Sequence, residues 1–284
     1  MKNYTYFDIA ATTPIDKGVV DTMNELNSDY FGNPSSVHQI GQKSHNLIEK
    51  SRREIAEILK CKTSEIFFTS GGTESNNIII NGLLNKDDHF ITSSYEHPSI
   101  LNTAKEMENK GIKVTYLKPN SSGIITNDEL KKNIQKNTKL VSIMSMNNEL
   151  GTLNPIEKLS NICSQNKILF HTDAVQQIGK TEFEISKTDI NLLSFAGHKF
   201  YGPKGIGGLY IKNGIGINPL IFGGGQESGY SPGTQSAPLI AGMAEALKIA
   251  MFNLNKNQKH IENMENELFN ELNKTSINYT LNGS

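Results

Sequence analysis

Lys199 stands between a histidine and a glycine-rich turn in the stretch "SFAGHKFYGPKGIGG". A lysine amine that is partly withdrawn from water beside a second cationic group has a lowered pKa and can act as a nucleophile. His198 would be that second group. A surface lysine in a glycine loop is the plainer interpretation of Lys199 taken alone, so the other polar residues of the chain decide between the two.

Several other polar residues also follow apolar runs. Asp173 ends "KILFHTD", with Gln176 three residues further on, and a carboxylate in that position is costly unless it faces a cation. His97 follows "DHFITSS", where its ring could stack on a planar ligand or act as an acid or base. Asn147 and Asn148 in "SMNNELGT" could fix a ligand hydroxyl or simply form a turn.

The stretch "GGTESNN" after "EIFFTS" predicts the start of a helix. Gly71, Gly72, Thr73 and Glu74 would form its turn and first residues, whose free N–H groups and dipole suit a phosphate. An ordinary capping turn fits the same residues equally well. The stretch is neither a Walker loop nor a G-x-G-x-x-G dinucleotide fingerprint.

The elements that must position these residues alternate between β-branched or aromatic runs and helical patterns, which predicts an α/β fold with a mainly parallel, wound sheet. Ligands of such sheets collect at the carboxyl ends of the strands. Apolar residues at helical spacing predict helices over 45–60 and 156–166, and one continuous helix from about Pro238 to Lys274. The predicted strands are 65–70, 88–94, 112–118, 138–146, 167–173, 190–196 and 207–211.

The composition favours a small ligand. The 28 basic and 29 acidic residues give a net charge of -1, which provides no electrostatic footprint for nucleic acid or an anionic membrane. No stretch has the length of a signal-peptide core or a membrane span. Cys61 and Cys163 are too few for a disulfide framework or a cysteine-based metal site. We therefore expect a cytoplasmic protein with no metal, nucleic-acid or membrane partner.

A Schiff-base lysine, an aspartate for a pyridinium nitrogen, a stacking histidine and a phosphate-cradling helix start are the elements that a pyridoxal 5'-phosphate (PLP) site needs. Eight segments spread over nearly the whole chain carry a resemblance to a known family: "YFDIAATTP", "FGNPSSVH", "FTSGGTESNN", "YEHPSI", "MNNELGT", "HTDAVQQIGK", "SFAGHKFYGPKGIGGLYI" and "FGGGQESGYSPGT". In these segments the sequence resembles class V aminotransferase-fold enzymes, and most closely the cysteine desulfurases that supply sulfur for iron–sulfur clusters.

The resemblance implies a fold-type I PLP-dependent transferase whose parallel sheet is flanked by helices. It predicts an N-terminal segment over 1–13, a large PLP-binding domain over 14–255, and over 256–284 the start of a small, truncated C-terminal domain. In the family, the catalytic cysteine and the arginine that binds the substrate carboxylate lie in that domain, beyond the positions that match residue 284. Cys61 and Cys163 are interpreted as packing residues instead.

The resemblance also implies the roles of the site residues. Lys199 would carry the cofactor and move the substrate's α-proton, Asp173 would keep the pyridine nitrogen protonated, and His97 would stack on the ring. Thr234 is similar to a family threonine that reaches the phosphate of the neighbouring subunit, which implies a homodimer. The remaining assignments are Asn148 and Gln176 at the phenolic oxygen, Gly72, Thr73 and His198 at the phosphate, and Asn33 with Asn148 near the substrate.

Three positions depart from the family pattern. Ala196 stands where a serine is usual, which removes one hydrogen bond to the phosphate, and Ser228 and Ser231 stand where arginines are common. The implied reaction converts L-cysteine to L-alanine and leaves sulfur on the enzyme for an acceptor or an iron–sulfur scaffold protein. Two alternatives stay open: a related lyase or aminotransferase that needs no cysteine nucleophile, and a non-catalytic PLP-binding partner. We expect residues 1–284 to bind PLP and to complete desulfuration negligibly.

Overall fold

The computed structural model describes residues 5–283 and contains one seven-stranded sheet in the order β1-β7-β6-β5-β4-β2-β3. The strands are β1 Ile66–Thr69, β2 His89–Ser93, β3 Lys113–Leu117, β4 Thr138–Ser142, β5 Leu169–Asp173, β6 Leu192–Ala196 and β7 Gly207–Ile211. The helices are α1 Lys17–Asp29, α2 Gln39–Leu59, α3 Gly72–Leu83, α4 Pro98–Asn109, α5 Asn127–Asn133, α6 Ile156–Gln165, α7 Ala237–Phe252 and α8 Leu254–Leu272.

The sheet confirms the predicted α/β class and all seven predicted strands. The five neighbouring strands β3, β2, β4, β5 and β6 run parallel to one another. β7 is antiparallel to both of its neighbours, β1 and β6. Every residue of β2, β6 and β7 is buried, as expected for a sheet covered by helices on both faces. The carboxyl ends of β2, β4, β5 and β6 therefore lie along one edge, where the predicted polar residues follow them.

Two hydrophobic clusters pack on opposite faces of the sheet. Alternation along β6 sends Phe195 into the cluster that contains residues of α2 and α7, whereas Leu192 joins the cluster beneath α3 and α4. Phe195 lies over Gly208 of the neighbouring strand. A Cβ at Gly208 would come within 1.9 Å of the Phe195 ring, so the close approach of ring and backbone requires glycine there.

The prediction of one continuous helix over 238–274 is wrong. The helix breaks at Asn253 into α7 and α8, which meet at a bend of 66°. The Asn253 backbone is non-helical, and its side-chain amide donates to the Ile249 carbonyl at 3.0 Å, which ends α7. α7 is buried on most of its surface, whereas Leu254 is the only fully buried residue of α8, so the two halves face different surroundings.

Within the described residues, no single helix is both long enough and apolar enough to cross a bilayer. α7 and α8 reach that length and composition only when they are taken together across their bend.

A buried ion pair anchors the glycine-rich loop over 223–235 to α2. Arg52 of α2 donates to both carboxylate oxygens of Glu227, at 2.7 and 2.9 Å. Glu227 also accepts from the Phe68 backbone at 2.8 Å, although its own φ of 48° is left-handed. Because the pair holds a non-glycine residue in this backbone conformation, it fixes where the rest of the loop can lie.

Arg52→Met should lower the free energy of unfolding by about 3–5 kcal/mol, because it leaves the Glu227 carboxylate buried without a cation. Urea denaturation of the cofactor-free chain measures this. Lys187→Met is the matched control, since the Lys187–Glu184 pair at 3.0 Å is exposed and its loss should cost less than about 1 kcal/mol. Equal losses in the two variants would contradict the anchoring role of Arg52.

Candidate active site

A cavity of about 440 Å³ opens at the carboxyl edge of the sheet, within the roughly 300–1,000 Å³ typical of small-molecule sites. The structure brings eight of the predicted site residues together around it. They are Gly72, Thr73, His97, Asn148, Asp173, Gln176, His198 and Lys199. Asn33 and Thr234, the other two, are exposed and do not line this cavity.

Lys199 enters the cavity from the 3-10 turn Gly197–Lys199, directly after β6. Its Nζ donates to the carbonyl oxygens of Ala10 at 2.6 Å and Ala11 at 2.8 Å. Burial lowers the pKa of Lys199, and the nearby carboxylates of Asp173 and Asp8 oppose that shift. A lowered amine pKa increases the unprotonated fraction that can attack a carbonyl.

The N-terminal segment forms one wall of the site. Thr13 donates from its hydroxyl to the His198 carbonyl at 3.0 Å and accepts from the Tyr201 backbone at 2.9 Å. Asp8, Ala10 and Ala11 line the cavity. Residue types predict no site residue in this segment, because the backbone carbonyls that it contributes leave no signature in the sequence.

Asp173 ends β5, and its side chain is almost completely buried. Oδ1 accepts from the Val175 backbone at 3.0 Å, and Oδ2 accepts from Asn76 Nδ2 at 2.8 Å. Burial raises the pKa of Asp173, against the effect of these hydrogen bonds. Both donors are neutral, so a cationic ligand atom beside Asp173 would relieve the remaining cost of burying the carboxylate.

His97 caps the N-terminus of α4. Its Nδ1 accepts from the Ser99 backbone at 3.1 Å and lies 2.8 Å from Ser99 Oγ. Asn76 Nδ2 donates to the same Ser99 hydroxyl at 2.9 Å. Asn76 and Ser99 thus connect Asp173 to His97 across the cavity wall. Neither residue was predicted from the sequence, because an asparagine in a helix and a serine after a proline do not by themselves indicate a site.

The two amides predicted at the phenolic oxygen make hydrogen bonds within the chain. Gln176 donates from Nε2 to the Ala10 carbonyl at 2.9 Å and accepts at Oε1 from Lys180 at 2.5 Å. Burial, reinforced by the charge of Lys199, lowers the pKa of Lys180 to about 8. Asn148 Nδ2 donates to Glu149 at 2.9 Å. A ligand oxygen at either amide would therefore add to these bonds or replace them.

The predicted phosphate end of the site is built on the first turn of α3. Gly72 is its first residue, and a Cβ there would lie 2.8 Å from Val175 Cγ2, so a larger residue would require the Val175 side chain to shift. Free N–H groups at a helix start suit an anion. Burial, followed by the charges of Lys199, Lys204 and Lys180, lowers the pKa of His198. Ala196 lines the same cavity and adds no hydrogen-bond donor beyond its backbone.

The loop that carries the other departures lies outside this cavity. Ser231 Oγ donates to Glu74 of α3 at 2.7 Å, so an uncharged donor stands at a position where the resemblance suggested arginine. Ser228 lines a separate, larger cavity of about 830 Å³, together with Arg52 and Glu227. None of the PLP-site residues lines that larger cavity, so the chemistry belongs to the smaller one.

The smaller cavity fits PLP in its chemistry. Asp173 offers a buried carboxylate for a protonated ring nitrogen, and the start of α3 offers N–H donors for a phosphate. Lys199 supplies the amine for a carbonyl carbon. Asn76 Oδ1, buried beside Asp173, has no hydrogen-bond partner among the described residues, so this wall offers a hydrogen-bond acceptor to a ligand. PLP requires these three groups: a carboxylate for its ring nitrogen, N–H donors for its phosphate and an amine for its carbonyl carbon.

Comparisons with known proteins agree with this geometry. The family model "Aminotransferase class-V" matches residues 5–283. The cysteine desulfurase IscS of Dictyoglomus turgidum is 42% identical, covering 100% of this chain and 73% of its own length. The mitochondrial cysteine desulfurase of Candida maltosa is 43% identical, with 94% of this chain and 57% of that protein covered.

Solved structures show the same similarity. A "NifS-like protein" superposes with a TM-score of 0.93 at 41% identity and covers 96% of this chain and 76% of that one. A structure described as "SspA in complex with cysteine" gives a TM-score of 0.83 at 45% identity, with 86% and 72% covered.

The chain therefore belongs to the class-V aminotransferase family. Within that family, the two curated relatives named above are cysteine desulfurases, which depend on PLP. The chain spans 57% to 73% of the length of those two curated relatives.

Glu96, next to His97, is a further buried carboxyl group near the site. It accepts from the Met144 backbone at 2.9 and 3.1 Å and from the Ser93 hydroxyl at 2.5 Å. Burial, with a smaller contribution from Asp173, raises the pKa of Glu96 to about 8. Glu96 is therefore protonated in the folded state over a pH range in which it is ionised in the unfolded chain. The free energy of unfolding falls as the pH rises from about 4.5, the ordinary pKa of glutamate, to about 8.

Glu96→Gln should flatten this pH dependence, because the amide stays neutral at every pH; its carbonyl oxygen can accept from Met144 and Ser93, whereas its NH₂ group cannot replace the second acceptor of the Met144 N–H. Between pH 5.5 and 7.5, we expect the unfolding free energy of the unmodified chain to fall by about 2 kcal/mol relative to the variant. Urea denaturation across this range measures the difference. Glu262→Gln, on the exposed face of α8, is the control. Parallel curves for the unmodified chain and Glu96→Gln would refute the assignment.

Proposed function

We propose that residues 5–283 form the cofactor-binding part of a cysteine desulfurase that converts L-cysteine to L-alanine and transfers the sulfur to a cysteine of the enzyme. The observation that carries the proposal is the placement of Lys199 and Asp173 in one cavity, on adjacent strand ends. The similarity to desulfurases over nearly the whole chain supports it. The relative described in complex with cysteine supports the choice of substrate.

Each residue of the site would have a distinct chemical role in this reaction. Bound PLP supplies an electron sink for the carbanion that forms at the substrate's α-carbon. Lys199 Nζ would hold the cofactor and then move the α-proton, for which its lowered pKa suits it. Asp173 would hold the proton on the ring nitrogen. His97 would cover the ring, the start of α3 and His198 would bind the phosphate, and Gln176 and Asn148 would donate to the phenolic oxygen.

The two cysteines within residues 5–283 do not supply the sulfur acceptor. Burial raises the pKa of both Cys61 and Cys163 to about 12, so neither is a thiolate at neutral pH. Cys163 is buried in the large hydrophobic cluster and Cys61 packs against it. This supports their interpretation as packing residues. The nucleophilic cysteine would come from the C-terminal part of the family that the matched residues do not cover.

A homodimer with shared sites, a cytoplasmic location and a sulfur-acceptor or iron–sulfur scaffold partner complete the proposal. Thr234 is exposed and lies outside its own chain's cavity, which suits a threonine that serves the neighbouring subunit. The ion pair of Arg52 and Glu227 would hold the loop that presents it.

Residues 1–284 should carry out the first half of the reaction, removal of the α-proton, but not the second half, removal of sulfur. After loading with PLP, the chain should introduce solvent deuterium at the α-carbon of L-alanine, because proton transfer needs only Lys199 and the cofactor. Sulfide release from L-cysteine should stay at the rate of free PLP, because no thiolate is available. Mass spectrometry of the alanine and a sulfide assay measure the two halves.

Lys199→Ala should abolish the deuterium exchange, whereas Lys204→Ala, an exposed lysine five residues further along the same loop, should retain it. Failure of the unmodified chain to exchange the proton would contradict the role of Lys199. Sulfide release well above the free-cofactor rate, lost on Cys61→Ala or Cys163→Ala, would make one of those cysteines the nucleophile.

A further inference from the structure

The hydrogen bonds around His97 determine which of its ring nitrogens carries the proton. Nδ1 accepts the Ser99 backbone N–H at 3.1 Å. A backbone N–H can only donate, so Nδ1 carries no hydrogen while this bond is made. The neutral ring must then carry its single proton on Nε2.

The orientation of Asn76 follows from Asp173. An ionised carboxylate only accepts hydrogen bonds, so the Asn76 atom 2.8 Å from Asp173 Oδ2 must be the NH₂ group. The reversed amide would place Asn76 Oδ1 against the carboxylate. The same NH₂ group then donates its second hydrogen to Ser99 Oγ at 2.9 Å.

The Ser99 hydroxyl hydrogen is directed by this arrangement. Its oxygen accepts from Asn76, and the acceptor left within reach is His97 Nδ1 at 2.8 Å. Nδ1 thus receives two donors, the Ser99 N–H and the Ser99 O–H. Asn76 and Ser99 are themselves buried, so water does not compete strongly for these bonds.

We infer that Asn76 and Ser99 are positioning residues that hold His97 as the neutral tautomer with its proton on Nε2. His97 lines the cavity and makes no Nε2 hydrogen bond to a described residue, so this N–H is available to an acceptor atom of a bound ligand. Proton uptake at Nδ1 would require the Ser99 backbone N–H to leave and the Ser99 hydroxyl to turn from donor to acceptor. Any proton transfer by His97 is therefore confined to Nε2.

The inference takes the class of ligand from the proposed function, but the tautomer is set by the chain alone. It can therefore be tested without cofactor. Residues 1–284 labelled with ¹⁵N-histidine would be examined at pH 8 by two-bond ¹H–¹⁵N correlation, and His97→Gln would assign the signals among the seven histidines. The expected pattern is an unprotonated Nδ1 and a protonated Nε2 for His97.

Ser99→Ala removes the hydroxyl donor and keeps the backbone donor. One lost hydrogen bond of about 1 kcal/mol should reduce the preference for the Nε2–H tautomer about fivefold, which moves the Nδ1 signal towards the protonated position. Asn77→Ala is the control, because Asn77 follows Asn76 on α3 but contacts Thr103 instead. This variant should leave the His97 pattern unchanged.

A protonated Nδ1, a charged ring or an even mixture of tautomers in the unmodified chain would overturn the inference. So would equal signal shifts in Ser99→Ala and Asn77→Ala. If Ser99→Ala does not fold, the spectrum of the unmodified chain decides by itself. Failure of the proposed function would appear differently, as a lack of α-proton exchange in the PLP-loaded protein with the His97 tautomer as expected.

Discussion

The buried carboxylate of Asp173 is the constraint on which the site depends. Placing a negative charge at the buried carboxyl end of a central strand is costly. Its hydrogen-bond donors, Val175 and Asn76, are both neutral, and the nearby charge of Lys199 offsets only part of the cost. A cationic ring nitrogen would provide the missing charge. The carboxylate also orients Asn76 and, through Ser99, the ring of His97. The buried Asp173 carboxylate thus favours a cationic ligand atom, orients the Asn76 amide and contributes to the tautomer of the His97 ring.

The sheet topology explains why these groups meet. Asp173 and Lys199 are far apart for a local motif, but β5 and β6 are adjacent and parallel, so the residues that follow them share one edge. β2 and the start of α3 bring His97 and Gly72 to the same edge. The N-terminal segment then closes the cavity with carbonyl groups, which bind the free Lys199 ammonium. Attachment of a ligand at Lys199 must therefore break hydrogen bonds that the chain makes by itself.

The sequence predicted the fold well, because strand composition leaves a clear pattern, and polar residues that follow the strands lie together in one cavity of the structure. Asp173 and Lys199 could be proposed from such patterns alone. The helix break at Asn253 could not, since the apolar spacing continues through it and the bend reflects the different burial of α7 and α8. Asn76, Ser99 and the Ala10 and Ala11 carbonyls were missed because their importance lies in three-dimensional contacts. The domain boundaries and the residue roles stay predictions.

The central claim is that this cavity binds PLP covalently at Lys199. The most direct measurement is to incubate residues 1–284 with PLP, reduce with borohydride, and map the modified peptide by mass spectrometry. We predict one modified lysine per chain, Lys199, with no modification there in Lys199→Ala. Modification spread over exposed lysines, or concentrated at Lys180 while Lys199 stays free, would contradict the account.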